Sequence, residues 1–567
     1  MSKFSKFTQN STLHWSIIIL LAMYQLIRLV VFINVYGGVE HDSGWFLGLA
    51  RSLAETGRYS TMVSTIADPT PGGHENIYGQ YNVQDEQGRV YFFTESGVYG
   101  AGIIPNAIII KLFGLGFWQY RAGPLLFFLA GLLLVSYLLY RFGGLLAVLM
   151  NHLFLFFYPN LIIFLGYEAM GEIFSLTYVL LAFVLFMIAI QVKRRHYLWF
   201  LACGLAAGLA ITTKPIAFLS LGGLVLAWLL LFWKKQSSLK EGLMMAGGWA
   251  LVPVLWELIQ LVSLTAIFDF QTYQSHLAER IDFFSNEGGS GLGIQGPGNF
   301  DFFWHKLLIV REISSANDVI SFIILLIIFI SGPLLIWYHF NDKLQRSVAI
   351  LLWGGWFTHS LWFVALSKNG WMRHDWYALM LAVFLLSLLV VYAWRMICER
   401  PRWPDVIFGS LLAGVLLIGF GQQLNTASLL VSNKLVERWY NEHLATDHTR
   451  IPWILIPRQA QQATVDFIAR LPSTARIFYP EGHKSAEMAV LTGHILYPIE
   501  RRHLMPPAEG DIVLIGPSLI SPWRKRTEAH ISPAERQAFM EEVMKQVTRE
   551  CPRIVFENNY YIICALD

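Results

Sequence analysis

Carboxylates and cations gather at the ends of the long apolar runs of this chain. Glu40 and Asp42 follow directly on the apolar run 15–34. A carboxylate placed there reaches a water-borne substrate and a lipid headgroup together, and it can do acid–base work. The same Asp42, beside Ser43, can equally cap a helix N-terminus. Glu168 and Glu172 open another apolar run, where charge matching to a helix N-terminus is the plainer alternative. Lys214 stands at the junction of two runs, Arg121 opens one in Trp118-Gln119-Tyr120-Arg121, and Arg373 and His374 open one in Trp371-Met372-Arg373-His374-Asp375. A lone lysine at a membrane edge can simply snorkel to headgroups. Ionisable groups in or beside spans are costly, however, and each marks a candidate site.

The elements that must position these residues are spans. The 567 residues are 55% hydrophobic and only 14% charged, which excludes an ordinary soluble protein and indicates a polytopic membrane protein. A net charge of +3 implies no nucleic-acid partner. Runs long enough to cross occur near 15–34, 120–140, 143–165, 171–191, 197–213, 215–233, 243–265, 319–338, 347–367, 374–394 and 405–424. The first, after Lys3 and Lys6, has no small-residue cleavage site behind it and reads as an uncleaved span. Arg28 inside it is expected to snorkel. The stretch 99–115 carries Pro105 and Lys111. With eleven spans, the basic loops at 193–195, 234–240, 343–346 and 395–402 all fall on the cytoplasmic side. A twelfth crossing at 99–115 would invert them, so that stretch is predicted to be juxtamembrane or re-entrant.

This topology places outside the membrane the loop 35–119, the turn 166–171, the loop 266–317 and everything after 425. Within the first loop, Phe46, Leu49 and Leu53, with Trp45 beside them, make an apolar stripe that Gly57 can end. The reading is a short amphipathic helix lying in the membrane interface. In the third region Gly288-Gly289-Ser290-Gly291 is a flexible core with no Gly-Lys-Ser/Thr of a P-loop. The following Phe300-Asp301-Phe302-Phe303-Trp304-His305-Lys306 reads as an interfacial anchor or part of a lid. From about 436 the composition is that of a soluble domain. Helix-like stretches at 458–470 and 533–549 alternate with strand-like ones at 475–479, 495–497, 511–515, 553–556 and 560–565, and Asn558-Asn559 supplies a hairpin turn. Cys551 and Cys564 flank that hairpin and could pair, whereas Cys203 and Cys398 read as packing residues. His41 with His74-Glu75 could hold a divalent cation, although the spacing fits no tight ligand motif.

An acid after the first span, followed by Ala50-Arg51-Ser52-Leu53-Ala54-Glu55-Thr56-Gly57-Arg58-Tyr59, resembles the first external loop of GT-C glycosyltransferases. These include the dolichyl-phosphate-mannose-protein mannosyltransferases and the bacterial aminoarabinose transferases. The resemblance implies that the acid matching Asp42 is the catalytic base; because the family often has Asp-Glu where this chain has Asp42-Ser43, whether Glu40 or Asp42 does the work stays open. Gly171-Glu172 is similar to the second acidic position, which positions reacting groups or a metal. Gly204 to Pro215, with Thr213-Lys214, resembles the segment whose lysine contacts the lipid-linked phosphate. Arg121 matches a family arginine, and Arg373-His374 a later arginine pattern; Arg51 joins this phosphate-binding set.

The run pattern, the composition after 436 and the resemblance together lead to the expectation of an α-helical polytopic GT-C-like protein of about 11 transmembrane helices with a C-terminal external α/β domain. Residues 1–235 would be the catalytic module, 236–424 a variable membrane module and 436–567 the external domain. The implied reaction moves a sugar from a polyprenyl-phosphate donor to a lipid, glycan or protein acceptor, in a bacterial inner membrane, with no certain cofactor. Lys214, Arg121 and Arg373 would stabilise the departing phosphate, and Asp42 would take the acceptor proton in one inverting displacement. The rival reading is a transporter or flippase of lipid-linked sugars or other anions, its charges lining a path. It lacks paired interrupted helices, and the charges cluster at one face. A non-enzymatic scaffold leaves the edge cations unexplained.

Overall fold

The structure, a computed structural model, describes residues 11–39, 41–61, 72–75, 81–86, 89–92, 100–157, 166–192, 194–282, 306–308, 318–338, 342–367, 372–399, 456–479, 486–499, 508–516, 553–558 and 560–566, with Ile162, Trp304, Arg549 and Cys551 besides. The expected span at 405–424, the glycine-rich core at 288–298 and the Asn559 half of the turn lie outside these residues, as does the expected helix at 533–549 apart from Arg549.

Helix α1 (Ser11–Tyr36) is followed by α2 (His41–Thr56), then by strands β1 (Ser60–Thr61), β2 (Gly72–Glu75), β3 (Tyr81–Gln84) and β4 (Val90–Tyr91). The strands pair antiparallel in the order β1-β4-β3-β2, so the polar first loop carries a small sheet. Then come α3 (Gly100–Phe113), α4 (Phe117–Gly143), α5 (Leu145–Phe157), α6 (Glu172–Ala189), α7 (His196–Thr213), α8 (Ala217–Ser220), α9 (Gly222–Trp233), α10 (Leu239–Ile267), α11 (Phe270–Asp282), α12 (Asp318–Tyr338), α13 (Lys343–Leu366) and α14 (Met372–Glu399). Seven helices among the described residues are long and apolar enough to cross a membrane, within α1, α4, α6, α7, α10, α13 and α14. Shorter apolar helices include α3, α5 and the α8–α9 pair. At 14 residues, α3 is roughly 21 Å long, short of a hydrocarbon core of roughly 30 Å. The protein is a multi-pass membrane protein whose lipid-facing surface is apolar: Leu20, Val262 and Trp337 are all exposed.

Close helix packing fixes the bundle. A Cβ built on Gly204 of α7 would lie 2.0 Å from the Met245 carbonyl of α10, and one on Gly208 would lie 2.7 Å from the Trp249 carbonyl. Small residues at this spacing let two backbones meet in lipid, where no hydrophobic drive separates helix from tail. Arg28 does not snorkel. Its guanidinium donates to Gln25 (2.9 Å) and to the Phe156 carbonyl of α5 (3.3 Å), and Gln25 donates to the His152 carbonyl. With little water at that depth, inward hydrogen bonds satisfy the polar groups.

The C-terminal region holds α15 (Arg458–Ile468), β5 (Ile477–Tyr479), α16 (Ala486–Thr492), β6 (Leu496–Pro498), β7 (Ile512–Ile515), β8 (Arg553–Glu557) and β9 (Ile562–Ala565). The five strands form one mixed sheet in the order β6-β5-β7-β9-β8. Asn558 turns the β8–β9 hairpin by accepting from the amides of Tyr560 and Tyr561 at 2.9 Å. Cys551 and Cys564 form a disulfide although Cys564 faces Ile554 in the ladder; their Cα atoms lie 5.2 Å apart.

Candidate active site

The loop 166–171, between α5 and α6, gathers the charged residues at one end of the bundle. The C-terminal ends of α1 and α7 and the N-terminal ends of α4, α6 and α14 supply the surrounding groups. This alternation is that of helices running up and down to a single face.

Glu168 lies at the centre of this loop. Its Oε2 accepts from the Ser43 hydroxyl of α2 and from Arg121 Nη1 of α4 at 3.1 Å. Arg121, fully buried, also donates to the Tyr167 carbonyl (3.2 Å), the Gly37 carbonyl (3.0 Å) and the Gly38 carbonyl, and its guanidinium stacks 4.8 Å from the Tyr167 ring. Both terminal nitrogens are thus directed at protein oxygens. Arg121 ties the end of α1 to the loop, a placement unlike the expected open phosphate contact. In an apolar surround such a charge needs a paired, hydrogen-bonded carboxylate.

Four residues on, Glu172 begins α6, and its Oε1 accepts from Lys214 Nζ at the end of α7. Lys214 also donates to the Met170 carbonyl at 3.3 Å. Pro215 stops α7 at Thr213 and holds Lys214 in an extended conformation. The Lys214 side chain is 14% exposed and that of Glu172 1%. Glu172 Oε2 is buried with no hydrogen-bond partner among the described residues. The buried Tyr377 hydroxyl of α14 lies within electrostatic reach of Glu172 and beside Ser175.

Asp42 is half-buried in the first described turn of α2, beside the Ser43 that joins Glu168. The segment holding Asp42 and the Lys214–Glu172 pair therefore share the loop 166–172. The apolar stripe of α2 is buried in protein and does not face lipid: Trp45, Phe46, Leu47, Leu49 and Ala50 are all buried. The helix packs between α3 and α16 of the C-terminal region. An apolar stripe has the same sequence signature whether lipid or protein covers it, which is why the interfacial reading fails here.

Arg51 does not join this group. It lies nine residues beyond Asp42, roughly 13 Å along the helix, and donates to the Val490 carbonyl (2.6 Å) and to Glu55 (3.1 Å). His374 is buried at the start of α14, with its carbonyl accepting from His359 Nε2 at 2.6 Å. Glu40 lies outside the described residues, and so do the side chains of Arg373, His41 and His74.

Two participants were not singled out from sequence. His359, in the middle of α13, accepts from Ser220 at Nδ1 (2.8 Å) while donating to His374, and its ring stacks on Tyr377 at 5.5 Å. Asp375 is buried beside His374. Their signal was available, since each is an ionisable residue inside or at the edge of an apolar run. At the anchor stretch, Lys306 is buried and donates to the Ser367 carbonyl at 3.0 Å.

Residues 95–275 match the family model described as dolichyl-phosphate-mannose-protein mannosyltransferase, and this interval contains Arg121, Glu168, Glu172 and Lys214. The fold is similar to that of ArnT from Cupriavidus metallidurans bound to undecaprenyl phosphate: TM-score 0.54, 13% identity, 97% of each chain covered. The chain thus has the GT-C-like fold of that protein. The apo state of the same ArnT matches this chain equally, over 98% of both chains with TM-score 0.54 and 13% identity. A more distant likeness is to the oligosaccharyltransferase AglB from Archaeoglobus fulgidus in complex with an inhibitory peptide and a dolichol-phosphate, with 12% identity, 94% of this chain, 68% of that chain and TM-score 0.45. No curated protein matches this chain in sequence.

Proposed function

We propose that this GT-C protein moves one sugar from a polyprenyl-phosphate donor to an acceptor at the membrane face where its C-terminal domain lies. The observation that carries this reading is the shared loop: Ser43, next to Asp42, and Lys214 both bond to residues of 166–172. That shared loop supports a reading in which the Asp42 carboxylate and the Lys214 ammonium serve one site. The ArnT of similar fold binds undecaprenyl phosphate, which supports a lipid phosphate as the anionic ligand.

Asp42 takes the proton of the acceptor hydroxyl as that oxygen attacks the anomeric carbon. The carbon–phosphate oxygen bond breaks, its electron pair leaves with the polyprenyl phosphate, and configuration inverts. Lys214, reached from its exposed side, balances the charge on that leaving group. Glu172 holds the ammonium in place, and Arg121 with Glu168 fixes the loop beneath it. The Cys551–Cys564 disulfide supports an oxidising compartment for the C-terminal domain, as on the periplasmic side of a bacterial inner membrane.

The test is Asp42→Asn in purified protein with a radiolabelled polyprenyl-phosphate sugar. Transfer should fall by roughly 10²–10⁴-fold while undecaprenyl phosphate still binds. Unchanged transfer removes Asp42 as the base.

A further inference from the structure

The backbone that leads into α2 is held from two sides. Arg121 takes the carbonyls of Gly37 and Gly38 from the membrane module. From the C-terminal domain, the Ile456 carbonyl accepts the Gly38 amide at 3.0 Å. The buried side chain of Gln461, on α15, grips both backbone polar groups of Val39: Oε1 accepts the Val39 amide at 2.8 Å, and Nε2 donates to the Val39 carbonyl at 2.9 Å. One primary amide therefore pairs with Val39 much as a neighbouring strand would. Gln461 Nε2 also reaches the Tyr561 hydroxyl at 3.3 Å, which ties the grip to the edge of β9.

The rest of the interface keeps this grip in register. Gly44 lies so close to α16 that a Cβ on it would sit 2.4 Å from the Glu487 amide nitrogen. The Val490 carbonyl accepts from Arg51 on α2 (2.6 Å) and from the Tyr120 hydroxyl on α4 (3.0 Å). Arg458 stacks 4.6 Å from the Phe117 ring and donates to Asn34 at the end of α1. These contacts join the membrane helices to the C-terminal region, whereas the Gln461 amide bonds Val39, one of the four residues between α1 and α2.

We infer that Gln461 is a positioning residue for the transfer reaction: the C-terminal domain, through this one amide, sets where the first turn of α2, with Asp42, stands relative to the loop 166–172. The inference rests on the reading of Asp42 as the base. A base must lie within hydrogen-bond reach of the attacking hydroxyl, and a displacement of about 1 Å can cost about 10²-fold in rate. Releasing Val39 removes two backbone hydrogen bonds next to that turn and leaves the folded domain in place.

The experiment uses the full chain in detergent with two variants. Gln461→Met keeps the volume and removes both hydrogen bonds; Gln461→Glu can accept the Val39 amide but not donate to its carbonyl. Transfer is followed with whichever undecaprenyl-phosphate hexose or pentose the wild type turns over. The expected result for Gln461→Met is a fall in kcat of about 10–100-fold, with KM for that donor and undecaprenyl phosphate binding within about twofold, and Gln461→Glu in between. Hydrogen exchange at residues 37–39 should quicken, while that of β5, β7 and β9 stays at the wild-type level. A merely structural role would instead speed exchange in the sheet and weaken lipid binding along with turnover. Wild-type kcat in Gln461→Met overturns the inference, as does unaltered exchange at Val39. Inactive Asp42→Asn with fully active Gln461→Met sinks the positioning role and spares the base. Active Asp42→Asn with slow Gln461→Met sinks the Asp42 reading and shows that the grip positions another group. If the wild type turns over no such donor, the functional reading falls, and unaltered exchange at Val39 still overturns the grip.

Discussion

One oxygen of Glu168, Oε2, accepts both the hydroxyl of Ser43 and the guanidinium of Arg121, which lies 3.1 Å away. Glu168→Gln keeps the shape and removes the charge. Arg121, with no solvent to turn to, is then left as an uncompensated buried cation. The expected loss is about 3–5 kcal/mol of stability, the cost of breaking a buried pair. A thermal unfolding midpoint in detergent checks it, and Glu168→Gln combined with Arg121→Met should recover much of the loss.

Lys214 and Glu172 should separate binding from stability. On the proposed reading, Lys214→Met removes a charge-assisted contact to the lipid phosphate worth about 1.5–3 kcal/mol, so affinity for undecaprenyl phosphate should fall by about 10–100-fold. It also strands the buried Glu172 carboxylate. The pair Lys214→Met with Glu172→Gln should therefore restore the melting temperature and leave the affinity low. Equal affinity in the double variant and the wild type would remove Lys214 from the phosphate site.

The α7–α10 contact offers a matched pair of glycines. Gly204→Ala places a methyl 2.0 Å from a backbone carbonyl, whereas Gly247→Ala on α10 meets nothing within 4 Å. The first should lower stability by about 1–3 kcal/mol, as overpacking does. The second should be neutral or stabilise by about 0.5–1 kcal/mol through helix propensity. Lys214 ends the same helix, so Gly204→Ala should also slow transfer in the protein that remains folded.

His276, on α11, hydrogen-bonds Gln260 at 3.2 Å, and burial together with nearby Arg280 pushes its imidazole down to about 3. The unfolded chain binds a proton there at its ordinary value of about 6.5, and the folded protein does not. Below that value the unfolded state holds the extra proton, so stability present above about pH 6.5 is lost as pH falls toward 3. Unfolding midpoints across that window should decline, and His276→Gln should flatten the decline.

The strands of the C-terminal sheet were legible because short apolar runs bounded by Pro, Gly and Asn carry their own punctuation. Residues 477–479, 496–498, 512–515, 553–557 and 562–565 are strands close to where the runs place them. Helix α16 was not legible, since Ala486–Thr492 spans only seven residues and its apolar content matches a loop closing a core. The first-loop sheet escaped for a similar reason: β1 and β4 are two residues each. In the site, the acids and the lysine at span edges stood out by the cost of charge in lipid. Which acid serves which cation did not, because Glu168 and Glu172 are one helical turn apart in sequence and only the irregular loop sends them to different partners. Arg51 was misleading because its spacing suits either an anion or another domain's carbonyl.

The amide that grips Val39 comes from a residue 422 positions later in the chain, and it is steadied by Tyr561 beside β9, which lies between β7 and β8. The entrance to α2 is therefore synthesised long before the partner that grips it exists. On the proposed reading, a nascent chain stays unarmed until the C-terminal sheet has folded against that entrance.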